Sequence, residues 1–125
     1  MLHHVSFAVR DLAVAGAFYD AALGALGYRR VFQDHTAIGY GIEDGNDKFS
    51  LKLRSNPVAP GAGFHLAFDA PSRESIHKFH AQALAAGGTD NGAPGPRPNY
   101  GQHYYAAFVT DPDGHHVEAV ANRPA

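Results

Sequence analysis

The chain has no cysteine, no tryptophan and a single methionine. Without cysteine, disulfides, thiolate metal sites and a cysteine nucleophile are excluded. Lysine and arginine do not cluster, and the formal net charge is −2. A polyanion finds no basic stripe to bind, so no nucleic-acid partner is expected. No apolar run approaches the roughly 20 residues that cross a bilayer. The N-terminus lacks a basic segment followed by an apolar core. No membrane partner is expected, and the cytoplasm is the expected location. What remains suits one soluble domain over residues 1–125, with 45% hydrophobic and 18% charged residues. The abundant chemical group is imidazole: nine histidines, dispersed along the chain.

The chain also repeats itself. A shift of 61 residues lays HHVSFAVRDLAVAGAFYDAALGALGY over FHLAFDAPSRESIHKFHAQALAAGGT. His4 then falls on His65, Phe7 on Phe68, Phe18 on Phe79, Leu23 on Leu84 and Gly27 on Gly88. The matches occupy equivalent places in two strand–helix units. Repeat one runs over about 1–58 and repeat two over about 62–125. The boundary lies near SNPVAPGAG (55–63), which is full of turn formers.

Each copy opens with an alternating strand, 2–9 and 63–69. Val5, Phe7 and Val9 share one face, with His4, Ser6 and Ala8 on the other. His3 falls on the Val5 side, at the edge of the helix-packed face, as a structural residue. Phe64, Leu66 and Phe68 likewise oppose His65, Ala67 and Asp69. A helix follows each strand. Asp11 is the expected N-cap of the first and Ser72 of the second, with Gly27 and Gly87–Gly88 as stops. Phe18, Tyr19 and Ala22 face inward on the first helix; Ile76, Phe79, Ala83 and Leu84 do so on the second. Shorter strands are expected at about 28–33, 36–42, 48–54, 103–110 and 115–121. The stretch GGTDNGAPGPRPNYGQ (87–102) reads as a long loop that replaces or surrounds a strand, and serves either as a lid or as a spacer.

The turn DPDG (111–114) fixes a register. Pro112 suits the second position of a type I turn and Gly114 a following left-handed residue. The resulting bulged hairpin pairs Asp111 with His115. It places Phe108 opposite Glu118 and Tyr104 on the same face. A two-residue hairpin would put Tyr105 there instead.

If the apolar strand faces pack on the helices, the opposite faces hold His4, His65, Lys52 and Glu118. The histidines begin the copies, and Lys52 and Glu118 end them. Two imidazoles and a carboxylate inside a curved sheet compose a site for zinc, manganese, nickel or ferrous iron.

The stretches HHVSFAVRDLAVAGAFYDAALGALGY, GFHLAF and DPDGHHVEAV resemble the vicinal oxygen chelate superfamily over nearly the whole chain. This is the group of glyoxalase I, fosfomycin and bleomycin resistance proteins and extradiol dioxygenases. The resemblance implies an α+β fold: two βαβββ repeats form a curved mixed sheet with a cleft, helices on the outer face. It implies one divalent metal held by His4, His65 and Glu118, and a homodimer with a shared cleft, His4 coming from one chain and His65 and Glu118 from the other. Glyoxalase I ends its first copy with a glutamate or glutamine ligand; the matching position is read here as Lys52. An ammonium cannot ligate a cation, so three ligands and open positions are implied. Fosfomycin chemistry is disfavoured, since Phe108 stands where those proteins usually have tyrosine.

The expected activity is that of a metal-dependent enzyme on a small oxygen-bearing molecule. The metal chelates substrate oxygens and stabilises an enolate or alkoxide, in lyase or isomerase fashion. An extradiol iron dioxygenase is one alternative. A metal-free protein that sequesters a ligand, with a Lys52–Glu118 ion pair filling the cleft, is the other. Lys52 and Tyr104 are the candidate catalytic groups. Ser6, Arg54, Tyr100, His103, Phe108 and His116 are candidate substrate contacts, and Asp69 a candidate partner behind a ligand histidine. His77 and His80 read as solvent-side helix residues.

Overall fold

The two helices begin where the capping residues say they must. In the computed structural model, which describes all of Met1–Ala125, Asp11 accepts a hydrogen bond from the Val14 amide at 3.0 Å and starts α1 (Leu12–Gly24). Ser72 accepts from the Ser75 amide at 3.1 Å, and Ser75 returns the bond to the Ser72 amide at 3.2 Å. This reciprocal box starts α2 (Arg73–Ala85) and satisfies two amides that a bare helix end would leave open.

Around them lie eight strands: β1 (Val5–Val9), β2 (Arg29–Gln33), β3 (Ala37–Gly41), β4 (Asp47–Leu53), β5 (Leu66–Asp69), β6 (Thr89–Pro96), β7 (Tyr104–Thr110) and β8 (His116–Asn122). Each repeat is a βαβββ unit with its own four-stranded mixed sheet. The order is β1-β4-β3-β2 in one and β5-β8-β7-β6 in the other. In both, the opening strand runs parallel to the last strand of its unit. A parallel pair needs a long crossover, and the helix supplies it. No helix is long and apolar enough to cross a membrane.

The apolar faces behave as alternation requires. Phe7, Val9, Leu51, Ala107, Val109, Val117 and Ala119 are buried, and so are Phe18, Tyr19, Ile76 and Phe79 from the helices. These belong to one continuous core that spans both repeats. Fully burying one such phenylalanine is worth about 1.5–3 kcal/mol. Leu84 departs from expectation. It lies outward and is 37% exposed.

Two further boundaries are corrected. The opening strands start at Val5 and Leu66, so His3, His4 and His65 precede them. The stretch 87–102 surrounds a strand rather than replacing one: β6 runs through it and pairs antiparallel with β7. Its two prolines and two glycines hide the strand from any propensity reading. They are tolerated because β6 is an edge strand with register shifts.

The DPDG hairpin forms as expected. The Asp111 amide donates to the His115 carbonyl at 2.9 Å, and Gly114 has φ 93°. It also does something unexpected, joining the two repeats. Tyr19 donates to Asp111 Oδ2 at 2.6 Å, and Arg10 pairs with Asp113 at 3.2 Å. The His115 ring stacks on Phe7 at 4.2 Å and its Nε2 donates to the Ala8 carbonyl at 2.9 Å.

Candidate functional site

The open face of the second sheet brings together His65, Glu118, Tyr104 and Phe108, without His4 or Lys52. Phe108 is registered opposite Glu118, and Ala67 of β5 pairs with Glu118 from the other side. Glu118 therefore sits at the centre of its sheet. Its side chain is almost fully buried, 1% exposed, while that of His65 beside it is 50% exposed. Tyr104 lies on the same face and its hydroxyl donates to Glu118 Oε2. Burial first, and then the bond to Glu118, push the Tyr104 hydroxyl well above the ordinary tyrosine range. It is held protonated as a donor.

The other carboxylate oxygen has no hydrogen-bond donor. His65 Nε2 stands 3.0 Å from Oε1, yet not in a hydrogen-bonding orientation, and Oε1 is left orphaned. A buried carboxylate oxygen without a donor is costly. Two donors bound at right angles to one cation at about 2.1 Å, as in octahedral geometry, lie about 3 Å apart. The His65 Nε2 and Glu118 Oε1 pair has the spacing of two such ligands.

Phe108 and Tyr100 wall this cluster. The Phe108 ring meets His65 edge-on at 6.1 Å, and Tyr100, itself exposed, meets Tyr104 edge-on at 5.3 Å. Arg97 lies over Phe108 with its guanidinium 5.4 Å from the ring centroid, held by the carbonyls of Ala93 and Gly95. No local pattern marks Arg97, which lies just past the end of the irregular edge strand β6. His116, paired with Thr110, and His103, in the turn before β7, lie at the rim and are half-buried.

The first sheet presents a different set. His4 is exposed, and its Nδ1 lies 2.8 Å from Nδ1 of His3. The two histidines are therefore neighbours ahead of β1, not residues on opposite faces of it, and His3 is exposed rather than packed. Ser6 is exposed and pairs with Ser50. Lys52 is half-buried between Ala8 and Ala37. Arg54 lies past the end of β4 and bonds the Leu53 carbonyl.

Register corrects the pairing of the repeats. Ser6 corresponds to Ala67 by the 61-residue shift. Ser6 pairs with Ser50, whereas Ala67 pairs with Glu118. Gly39 opposes Ser50 as Phe108 opposes Glu118. The counterpart of Glu118 is therefore Ser50, not Lys52. Lys52 corresponds to Val120, and it makes no ion pair with Glu118, whose neighbours are His65 and Tyr104. Asp69 is corrected too. Its carboxylate pairs with Arg123 at 3.3 Å rather than standing behind His65. His77 and His80 are not idle, since His77 bonds Tyr105 at 2.7 Å and His80 pairs with Asp90 at 2.9 Å.

Within one chain, no three of His, Asp and Glu converge in a way that could hold a metal. His4 belongs to one sheet, and His65 with Glu118 to the other. Beside His4 an apolar cavity of about 290 Å³ opens, lined by Leu23, Tyr28, Tyr40, Phe49, Leu66 and Phe68 among others. Neither Glu118 nor His65 is in its lining, so this apolar cavity and the polar cluster are separate features.

Known structures share this architecture. A glyoxalase/bleomycin resistance protein from Albidiferax ferrireducens is 35% identical over 97% of both chains, with a TM-score of 0.82. The fosfomycin resistance protein FosX from Mesorhizobium loti is 18% identical, over 98% of this chain and 92% of that one, with a TM-score of 0.70. A glyoxalase I mutant from Zea mays is 20% identical, over 95% of this chain and 46% of that one, also at 0.70. The last two likenesses are likenesses of fold. Comparison with the curated proteins gave no match. A family model matches residues 1–119, and the chain belongs to the Glyoxalase/Bleomycin resistance protein/Dioxygenase superfamily.

Proposed function

We propose that this protein is a metal-dependent enzyme acting on a small oxygen-bearing molecule, with His4, His65 and Glu118 holding one divalent cation. The observation that carries this reading is the buried, donor-less Oε1 of Glu118 beside His65 Nε2. Two imidazoles and a carboxylate form a donor set that accepts zinc, manganese, nickel or iron. When bound, the cation supplies Lewis-acid polarisation of substrate oxygens and charge for a developing enolate or alkoxide. The chain's own groups do the rest. Tyr104 fixes the Glu118 carboxylate through Oε2 and leaves the buried Oε1 beside His65 Nε2. Phe108 and Tyr100 restrict water on one side, and Lys52 and Arg97 offer positive charge to an anionic substrate. Since His4 lies on the other sheet, the full set assembles in a homodimer, where the first sheet of one copy faces the second sheet of another.

Metal analysis tests this. After incubation with zinc, manganese or iron and dialysis, the wild type retains about one metal per chain. Glu118→Gln, which keeps the volume and can still meet Tyr104, and His4→Ala both lose it, while His3→Ala does not. Metal-free wild type after all three incubations overturns the proposal. The apolar cavity beside His4 favours a second reading, a ligand-sequestering protein without metal, and the metal-free outcome would select it.

A further inference from the structure

The first repeat lacks a carboxylate at the position matching Glu118, but it does not lack a carboxylate. Strand β4 reads DKFSLKL. Strict alternation puts Asp47 with Phe49 and Leu51 on the core face. The register breaks that alternation: Gly41 pairs with Asp47 and Tyr40 with Phe49, leaving Lys48 as an extra residue. A bulge of this kind re-aims the side chain next to it. Asp47 is turned onto the face of Ser50, whose hydroxyl donates to Asp47 Oδ2.

Gly39 makes the space. A Cβ at this position would lie 2.6 Å from Cβ and 3.2 Å from Oδ2 of Asp47, a clash no side chain tolerates. In the second repeat the same position holds Phe108. The Asp47 carboxylate thus fills the place opposite Ser50 that an aromatic ring fills opposite Glu118. It enters no ion pair with lysine or arginine.

The two repeats now match in their chemistry. Each offers one carboxylate from its last strand. A hydroxyl grips one oxygen: Tyr104 on Glu118 Oε2, Ser50 on Asp47 Oδ2. The second oxygen, Oε1 or Oδ1, is left without a side-chain donor. Each repeat also offers a histidine just ahead of its opening strand, His65 or His4. Val5 pairs with Phe49 in the parallel β1–β4 pair, so His4, just ahead of Val5, lies at the end of the sheet that carries Asp47.

We propose that Asp47 is a fourth metal ligand, the carboxylate of the first repeat, delivered by the bulge at Lys48 into the room left by Gly39. This rests on the metal-dependent reading above and changes its ligand set from three protein groups to four. It also makes the serine at the Glu118-equivalent position a positioning residue, whose hydroxyl aims the carboxylate.

The test is the affinity of the full-length protein for Co²⁺ alone, measured by competition with a coloured chelator, together with the visible spectrum of bound Co²⁺. Asp47→Asn is isosteric and can still accept from Ser50, so the fold is retained. It should weaken binding by about 100-fold, the upper end of what losing a partner behind a ligand costs, and shift the Co²⁺ spectrum. Gly39→Ala should weaken binding by displacing the same carboxylate. Asp44→Asn, an exposed acid in the same hairpin already paired with Arg29 at 2.7 Å, should bind as wild type. Wild-type affinity and spectrum in Asp47→Asn overturn the proposal, as does equal weakening in Asp44→Asn. Absence of Co²⁺ binding by the wild type overturns this and the metal-dependent reading together. Binding that survives Asp47→Asn but fails in Glu118→Gln overturns the fourth ligand alone.

Discussion

Where the second repeat places Glu118 and Phe108, the first places Ser50 and Gly39, in the same register. Where the second places Phe79 on its helix, the first places Phe18, and both are completely buried. The duplicated unit has kept its helix-facing side and changed its open side. The reason is physical. A core position is confined by neighbours on every side, and a change of one methylene is felt. A side chain on the open face meets solvent or ligand, and its identity is free to follow chemistry. Comparing the repeats position by position therefore separates what holds the fold from what occupies the cleft.

That separation predicts a graded set of effects. The largest belongs to the matched core pair. Phe18→Ala and Phe79→Ala should each cost about 3–5 kcal/mol in urea unfolding, and should agree within about 1 kcal/mol. A negligible cost at either position breaks the equivalence of the two helices. Next come the matched hairpins, which are not equivalent. Asp111 is buried and accepts from Tyr19 and from the amides of Asp113 and His115. Asp111→Ala strands those donors and should cost about 2–3 kcal/mol. Asp44→Ala in the first repeat removes an exposed pair with Arg29 and should cost less than about 0.5 kcal/mol. Equal costs would show that the second hairpin does not join the repeats.

The smallest effect is acid-dependent. The Ser50 hydroxyl lowers the Asp47 pKa from the ordinary 3.8. A group whose pKa falls on folding adds stability that is in place above its unfolded value. That stability is lost as pH falls through the folded one. Melting temperature should therefore fall between pH 5 and pH 3 in the wild type, and fall less steeply in Ser50→Ala. Identical slopes would detach Ser50 from Asp47.

The sequence made the core legible because packing imposes periods, two on strands and 3.6 on helices. It made the second half of the cleft legible because turn chemistry sets register. Pro112 and Gly114 were enough to place Phe108 against Glu118 and to bring Tyr104 onto that face. The first half was misread for lack of such a marker. Nothing in DKFSLKL announces the bulge at Lys48 that turns Asp47 onto the Ser50 face, and no turn marker shows that Ser50 rather than Lys52 corresponds to Glu118. Inside 87–102 the bounds of β6 are not legible, because its pairing is made by backbone groups and its residues are poor strand formers. Asp69 pointed the right way in sequence but found Arg123, a residue 54 positions later, that no local pattern could nominate.

The hairpin that joins the repeats also sets an order of assembly. During synthesis the first sheet can close once Leu53 has emerged, because β4 is the last strand it needs. Its contacts with Asp111, Asp113 and His115 cannot form until almost the whole chain exists. Until then Phe7 lacks the ring that stacks on it, the Ala8 carbonyl lacks its donor, and the Tyr19 hydroxyl lacks its acceptor. The nascent first half thus exposes both the core face that the second repeat later covers and the patch that awaits the hairpin. Such surfaces attract other chains, so between the emergence of Leu53 and of His115 this apolar surface stands uncovered.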